Sequence, residues 1–162
     1  MAARRCINVP RLTWFELVAE LRSRGQGRRE SGAFLLGRAT DAGERVQTII
    51  CYDDLDPDAL SDGAVEFHAK GYAALWRLCS DYGMKVLADV HTHPGKDVRQ
   101  SSIDREHPMV PVAGHVALIL PRFGETSKWS LASVGIHVFQ GKSRWTSFVH
   151  DHPAAPIRLC MW

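Results

Sequence analysis

The segment that decides how we interpret this chain is His91-Thr92-His93-Pro94, followed seven residues later by Ser101-Ser102-Ile103-Asp104. It comes directly after the apolar run Val86–Val90, which predicts a buried strand. Side chains two positions apart on a strand point to the same face, so the imidazoles of His91 and His93 can converge on one point. Pro94 favours extended backbone at His93, which helps to hold that geometry.

A metal ion held by two imidazoles needs at least one more ligand, and Asp104 is a candidate. We predict a short helix over 101–106, in which Ser101 and Asp104 are three positions apart and face the same side. Two histidines and a carboxylate form a catalytic zinc set whose fourth position is left for water. Taken alone, the Ser-x-x-Asp spacing also predicts a capping box, and either histidine fits an ordinary polar position at a strand end.

A candidate for the proton carrier lies far upstream, at Glu30, directly before a short apolar strand predicted over Ala33–Leu36. A carboxylate at the start of a strand, beside glycines that let backbones approach closely, is well placed to line a cleft. Water activation at a metal requires such a base to take and return a proton. Taken alone, Glu30 fits an ordinary surface residue that follows two arginines.

The remaining pattern predicts one α+β domain over residues 1–150, with a mixed or antiparallel sheet that carries helices. Apolar stripes predict helices over 11–24 and 65–82. The predicted strands are 33–36, 46–52, 86–90 and 115–120, with a hairpin formed by 131–139 and 144–149. Residues 151–162 are predicted to be a C-terminal tail that either folds back on the domain or docks a partner.

The composition excludes several classes of protein. With 45% hydrophobic and 23% charged residues, the chain is an ordinary globular sequence. No apolar run is long enough to span a bilayer and no secretory signal is visible, so we expect a cytoplasmic location and no membrane partner. Residues 1–29 are basic, but aromatic residues are not interleaved with a basic stripe, so we expect no nucleic acid partner. The four cysteines form no Cys-x-x-Cys pair and indicate reduced, mostly buried thiols.

Taken together, these residues and spacings resemble the JAMM motif of the JAB/MPN metalloproteases. That motif is an upstream Glu, then His-Ser/Thr-His, seven residues, and Ser-x-x-Asp. All five of its functional positions are matched here, by Glu30, His91, His93, Ser101 and Asp104. The Glu-x-Gly-x-x-x-x-Gly segment at 30–37 and the Gly114-His115-Val116 strand also fit bacterial members, and the resemblance extends over roughly residues 12–149.

The resemblance implies a cytidine-deaminase-like fold, with a curved mixed β-sheet and flanking helices. It implies one Zn²⁺ per chain, bound by His91, His93 and Asp104. Glu30 would act as general base and then as acid to the leaving amine, and Ser101 would donate a hydrogen bond to the tetrahedral oxyanion. The implied reaction is hydrolysis of the amide bond after the C-terminal glycine of a ubiquitin-like modifier, in a conjugate or in a precursor.

The partners implied are the tail of a ubiquitin-like protein and its conjugates, with E1- and E2-like conjugation enzymes, in bacterial conjugation or antiphage defence systems. Two alternatives within the family are cysteine release from the C-terminus of a sulfur-carrier protein and a non-catalytic MPN scaffold. The segment 53–62 holds five Asp residues where relatives often carry an insertion that touches the modifier. We expect it either to receive a basic substrate face or to be a solvated loop.

The other six histidines are not expected to bind the metal, because two His and one Asp already complete the protein's share of a zinc site. Of these, His107 is the one closest in sequence to Asp104, and it is the candidate for a role near the cleft. The full set is His68, His107, His115, His137, His150 and His152.

Overall fold

A single mixed sheet of eight strands forms the frame of the computed structural model, which describes residues 5–162. In chain order the strands are β1 (Ile7–Pro10), β2 (Gly32–Thr40), β3 (Gly43–Cys51), β4 (Lys85–Thr92), β5 (Val116–Leu120), β6 (Gly135–Gly141), β7 (Arg144–Phe148) and β8 (Ile157–Cys160). The helices are α1 (Arg11–Gly25), α2 (Tyr52–Leu55), α3 (Ala69–Tyr82) and α4 (Ser102–Glu106). Residues 1–4, which begin the predicted domain and its basic N-terminal stretch, lie outside the described residues.

The spatial order of the strands is β7-β6-β5-β4-β2-β3-β1-β8. Strand β2 pairs antiparallel with both β3 and β4, whereas β4 pairs parallel with β5. The far end is an antiparallel β6–β7 hairpin, whose turn residues Lys142 and Ser143 both have positive φ as a two-residue hairpin requires. This mixture of pairings confirms the predicted α+β class and its mixed sheet.

Helix α1 covers one face of the sheet. Its apolar stripe of Trp14, Leu17, Val18 and Leu21 is fully buried, as the helical spacing predicts. Burial of each such side chain contributes about 1.5–3 kcal/mol to the stability of the fold, relative to leaving it exposed. The helix ends at Gly25, and the chain then reverses through left-handed backbone at Gln26.

Helices α2 and α3 cover the other face, where an aromatic cluster is packed. Phe67 lies with its ring centroid 5.2 Å from Phe34, 5.4 Å from Tyr52 and 4.7 Å from Tyr72. This aromatic cluster belongs to a second hydrophobic core, on the face of the sheet opposite α1. The ends of β2 and β4 nearest the predicted site border this core.

Several elements differ from the predicted ones. Helix α3 begins at Ala69 rather than at 65, because residues 65–68 are used to close the preceding loop. The predicted loop 53–62 begins with the single helical turn α2. Strand β6 starts at Gly135, since 131–134 form a turn. The sequence analysis missed β1, and it missed β8 inside the predicted tail.

Strands β1 and β8 pair parallel along four residues each, from Ile7 with Ile157 to Pro10 with Cys160. The apolar tail therefore folds back on the domain, which is one of the two alternatives left open by the sequence. Within residues 5–162, no helix combines the length and the hydropathy that crossing a membrane requires.

The four cysteines are all free, and they fall into two accessibility classes. Burial raises the pKa of the Cys51 thiol to about 12 and also raises the pKa of the Cys79 thiol. Cys6 and Cys160 are partly exposed. Because the thiolate is the reactive form, we expect Ellman's reagent at pH 8 to modify at most these two thiols quickly in the folded protein. The double variant Cys6→Ser/Cys160→Ser is the control, and fast labelling of it would contradict this assignment.

Candidate metal centre

The two histidines and the aspartate that were predicted as ligands meet in the structure. His91 lies near the end of β4, His93 follows that strand directly, and Asp104 lies in the first turn of α4. Asp104 Oδ1 is 3.3 Å from His91 Nε2, and Asp104 Oδ2 is 3.2 Å from His93 Nε2. The two Nε2 atoms are 3.1 Å apart. Each residue thus offers one ligand atom within 4.8 Å of the others.

The chemistry of these donors fits a cation. The ring atom Nδ1 of His93 lies 3.0 Å from the carbonyl oxygen of Asp97, so a proton on Nδ1 is donated outward and the Nε2 lone pair points inward. That lone pair faces an Asp104 carboxylate oxygen, and two acceptors at this separation repel unless positive charge lies between them. Burial raises the pKa of Asp104, but the neighbouring His91 and His93 rings and the Ser101 N–H together lower it well below its usual range, so the site favours the ionised carboxylate. Two imidazole nitrogens and one carboxylate oxygen are a ligand set suited to Zn²⁺.

A capping box aims the Asp104 carboxylate. The Ser101 N–H donates to Asp104 Oδ2 at 2.8 Å, and the Asp104 N–H donates to Ser101 Oγ at 3.1 Å. The capping box and the metal ligand that the Ser101-x-x-Asp104 spacing predicted are therefore compatible, because the same helical turn is capped and directs its carboxylate toward the histidines. The oxygen of Ser101 is used as an acceptor, so its hydroxyl proton is available to another group in the exposed mouth of the site.

Two glycines make room beside His91. Gly32 on β2 and Gly135 on β6 lie in the same cross-strand row as His91. A Cβ at Gly32 would lie 2.2 Å from the ring of Tyr52, and a Cβ at Gly135 would lie 2.2 Å from the carbonyl oxygen of Val98. These positions let the aromatic cluster and the 94–100 loop approach the metal centre closely.

Glu30 lies beside the same centre, two residues before the start of β2. Its N–H donates to the Gly63 carbonyl at 2.8 Å. Burial is the main cause of the raised pKa of Glu30, and the nearby charges of His91 and His93 oppose it. The structure therefore places Glu30 and Ser101 beside the three predicted ligands. Their chemical roles stay predictions.

The sequence analysis missed a polar network under the site. On β4, the buried carboxylate of Asp89 lies 2.6 Å from Nε2 of His115, and the hydroxyl of Tyr52 donates to it at 3.4 Å. The signal was present in the sequence, since Asp89 is a charged residue within an apolar run and lies two positions before His91. Asp89 therefore shares a strand face with the metal centre.

His137 supports the loop between His93 and Ser101. Its Nε2 lies 2.9 Å from the Val98 carbonyl oxygen and its Nδ1 lies 2.7 Å from Ser147 Oγ. Among the residues that the structure describes, none of the six other histidines joins the three-residue ligand group. His107 is exposed at the C-terminal end of α4.

Four of the five Asp side chains in 53–62 have an arginine, lysine or histidine partner within the chain. Arg24 Nη1 lies 2.8 Å from Asp53 and 2.9 Å from Asp54, and Lys70 Nζ lies 2.8 Å from Asp58. The carboxylate of Asp56 is buried. The two predicted interpretations of the segment, a receiver for a basic substrate face and a solvated loop, both stay predictions.

The Asp56–His68 pair predicts a pH-dependent contribution to stability. Although burial opposes it, hydrogen bonds from His68 and Asp58 lower the pKa of Asp56, and its carboxylate raises the pKa of His68. The lowered pKa of Asp56 stabilises the fold above about pH 4. This stabilisation is lost as the pH falls through the pKa that Asp56 has in the folded protein. The raised pKa of His68 stabilises the fold below about pH 6.5. This stabilisation is lost as the pH rises through the pKa that His68 has in the folded protein.

We therefore expect Asp56→Asn to reduce the free energy of unfolding most between about pH 4 and 6.5, and less on either side. Urea unfolding at a series of pH values measures the difference from the wild type. Asp81→Asn, which changes an exposed carboxylate on α3, provides the baseline. A difference that is the same at every pH would contradict the assigned pair.

A mixed sheet with His-x-His at the end of a central strand and Ser-x-x-Asp on the following short helix defines a JAB/MPN-type domain. The model of the family described as prokaryotic homologs of the JAB domain matches residues 16–132. The chain therefore belongs to this family. Family membership confirms the resemblance and the JAB/MPN fold, and it indicates a peptidase- or isopeptidase-related role.

Solved structures share the fold. A protein of Desulfitobacterium hafniense, known from a solution structure, aligns over 95% of this chain and 92% of its own with a TM-score of 0.64 and 18% identity. A protein of Salinibacter ruber aligns over 87% of this chain and 92% of its own with a TM-score of 0.51 and 20% identity. At these identities the similarity concerns the fold alone.

Proposed function

We propose that this chain is a zinc-dependent peptidase or isopeptidase that hydrolyses the amide bond after the C-terminal glycine of a ubiquitin-like modifier. The observation that carries the proposal is the convergence of His91, His93 and Asp104 in a cleft that Glu30 also lines. A structural zinc site is closed by four protein ligands, whereas three protein ligands leave a position for water. The three-residue set therefore supports catalysis.

The protein residues divide the reaction between them. When bound, Zn²⁺ would supply the Lewis acidity that makes water a nucleophile near neutral pH. The Glu30 carboxylate takes a proton from the attacking water and returns it to the leaving amine. The Ser101 hydroxyl donates a hydrogen bond to the carbonyl oxygen of the substrate as negative charge develops on that oxygen.

A groove beside the 96–100 loop, which connects His93 to Ser101, has room for a peptide segment, and none of the five site residues lines it. It has a volume of about 940 Å³ and runs along the 96–100 loop, with Trp145 and Phe148 of β7 on its other side. This is the upper size range of ligand sites in proteins. We propose that an extended peptide segment enters it, in a cytoplasmic setting that includes bacterial E1- and E2-like conjugation enzymes.

The test is a metal analysis combined with a cleavage assay. The substrate is a ubiquitin-like domain whose terminal glycine is joined by an amide to a reporter protein, with a second version joined to a lysine side chain. We expect about one Zn²⁺ per chain, cleavage after the glycine, loss of activity with a chelator, and recovery when zinc is restored. A cysteine-extended sulfur-carrier precursor in the same assay distinguishes the alternative substrate. Folded, zinc-loaded protein that cleaves none of these would favour a non-catalytic scaffold and overturn the proposal.

A further inference from the structure

The groove beside the 96–100 loop is positively charged. Among the described residues that line it, two carboxylates face four cationic side chains, which are Lys96, Arg99, Arg105 and Arg122. Both carboxylates already have an arginine partner. Asp97 Oδ2 lies 2.7 Å from Arg99 Nη2, and Glu125 Oε1 lies 3.4 Å from an Nη2 of α1, that of Arg22. The groove therefore keeps an excess of positive charge.

Three of the four cations have no carboxylate partner. The side chains of Lys96, Arg105 and Arg122 are exposed, and none of them forms an ion pair with an acidic residue of the described range 5–162. Elsewhere the chain does pair its charges, as where Arg24 bonds both Asp53 and Asp54. Cations that are left unpaired around one concave surface concentrate a positive potential there, so the groove attracts a ligand that carries negative charge.

Hydrogen bonds between distant parts of the chain tie the backbone of the groove together. The Trp145 Nε1–H on β7 donates to the carbonyl of Arg105 on α4 at 3.1 Å. The Arg122 N–H, which follows β5, donates to the Gly95 carbonyl directly before the 96–100 loop at 2.9 Å. The backbone positions of the cations are therefore fixed before a ligand binds, which lowers the entropic cost of binding.

The lining favours an acidic peptide over a nucleic acid. Asp97 and Glu125 lie in the same groove and would repel a continuous row of phosphates, whereas a peptide carries its carboxylates at separate positions. Trp145 and Phe148 are half-buried and add aromatic surface against which the apolar parts of a peptide can pack. The ligand that fits both features is a polypeptide segment with Asp or Glu side chains.

We infer that this groove binds an acidic segment of the substrate polypeptide, which Lys96, Arg105 and Arg122 select by charge. The consequence for cleavage rests on the proposed function, because it requires the segment and the scissile amide to belong to one substrate. The binding of an acidic peptide does not. Because the 96–100 loop connects His93 to Ser101, the bound segment lies beside the metal centre and outside it.

The first test measures binding of a short fluorescent Glu-rich peptide to the full chain by anisotropy, with a second peptide that has Gln at every Glu position. The double variant Lys96→Gln/Arg122→Gln is compared with Arg77→Gln/Lys85→Gln, which removes one exposed lysine and one exposed arginine outside the groove. We expect Lys96→Gln/Arg122→Gln to bind the Glu-rich peptide about 5-fold more weakly than the wild type, and the control to match the wild type. Added salt should reduce the difference.

A reversal of charge separates selection by charge from a general structural effect. We expect Lys96→Glu/Arg122→Glu to bind a Lys-rich peptide more tightly than the Glu-rich one, which is the opposite of the wild-type preference. In the cleavage assay, the Glu-rich or the Gln-substituted segment is placed on either side of the scissile amide. We expect the Glu-rich version to have a KM about 5-fold lower at unchanged kcat on one side, and Lys96→Gln/Arg122→Gln to lose that difference.

Several outcomes would overturn the inference. They are equal binding of the Glu-rich and Gln-substituted peptides by the wild type, an equal loss of binding in Arg77→Gln/Lys85→Gln, and an oligonucleotide that binds the groove more tightly than the peptide does. If a double variant does not fold, the single variant Arg105→Gln must weaken binding of the Glu-rich peptide in the same direction. A wild type without amidase activity would contradict the proposed function, and the anisotropy comparison would still decide whether the groove binds acidic peptides.

Discussion

Replacing Glu30 with glutamine is expected to lower kcat by about 10²- to 10⁴-fold while the zinc content stays at that of the wild type. Glutamine keeps the size of the side chain and one side-chain oxygen, but it cannot take a proton from water. Glu30 is also outside the ligand group formed by His91, His93 and Asp104, so the metal should remain. Steady-state kinetics on the amide-linked fusion and metal analysis of the same preparation measure the two effects.

A matched control is available in the loop whose Gly63 carbonyl accepts the Glu30 N–H. Glu66 is an exposed carboxylate in this loop, and Glu66→Gln changes the net charge in the same way as Glu30→Gln. We expect Glu66→Gln to retain the wild-type kcat and KM. If Glu30→Gln cleaves the fusion at the wild-type rate, Glu30 is not the base. If it loses zinc, Glu30 has a different part in the centre from the one proposed.

Replacing Asp104 with alanine is expected to abolish both zinc binding and turnover. Loss of a residue that only supports a ligand weakens metal binding about 10- to 100-fold, so loss of a ligand should weaken it by more than about 100-fold. The change also removes the acceptor of the Ser101 N–H, which loosens the start of α4. His91→Ala should give the same loss of metal without disturbing that cap.

Thermal unfolding with and without zinc separates metal binding from folding. A ligand at a thousand times its Kd stabilises the state that binds it by about 4 kcal/mol, so zinc should raise the Tm of the wild type markedly. We expect almost no rise for Asp104→Ala or His91→Ala. His107→Ala, three residues from Asp104 but outside the ligand group, serves as the control and should respond as the wild type does. A full rise in Tm for Asp104→Ala would contradict its assignment as a ligand.

The positions of the site residues were accessible from the sequence because local rules fix them. The two-residue spacing of His91 and His93 acts along one strand, and the three-residue spacing of Ser101 and Asp104 acts within one helical turn. Glu30 is different, since sixty positions separate it from His91. Its position at the start of a strand beside glycines suggested that it lines a cleft, and the resemblance to a known motif connected it to the two histidines. The structure provides the physical link through the pairing of Gly32 with His91.

The elements that were missed depend on contacts that no local pattern encodes. Strands β1 and β8 are four residues long and show too few alternations for a period-two signal. The acidic segment 53–62 also has partners that no local pattern encodes. Its composition suggested a charged surface, but Arg24 of α1 and Lys70 of α3 reach Asp53, Asp54 and Asp58 from other parts of the chain.

The parallel pairing of β1 with β8 has a consequence for biosynthesis. Arg158 donates to Asn8 at 2.6 Å across 150 positions, and the N–H of Ile7 donates to the carbonyl of Pro156 at 2.7 Å. A growing chain leaves the ribosome with β1 long before β8, so one side of β1 has no hydrogen-bonding partner during most of translation. Unpaired strands of this kind recruit other chains. Nascent polypeptides that stop short of Ile157 should therefore self-associate, and this side of the sheet is completed only when synthesis has passed β8.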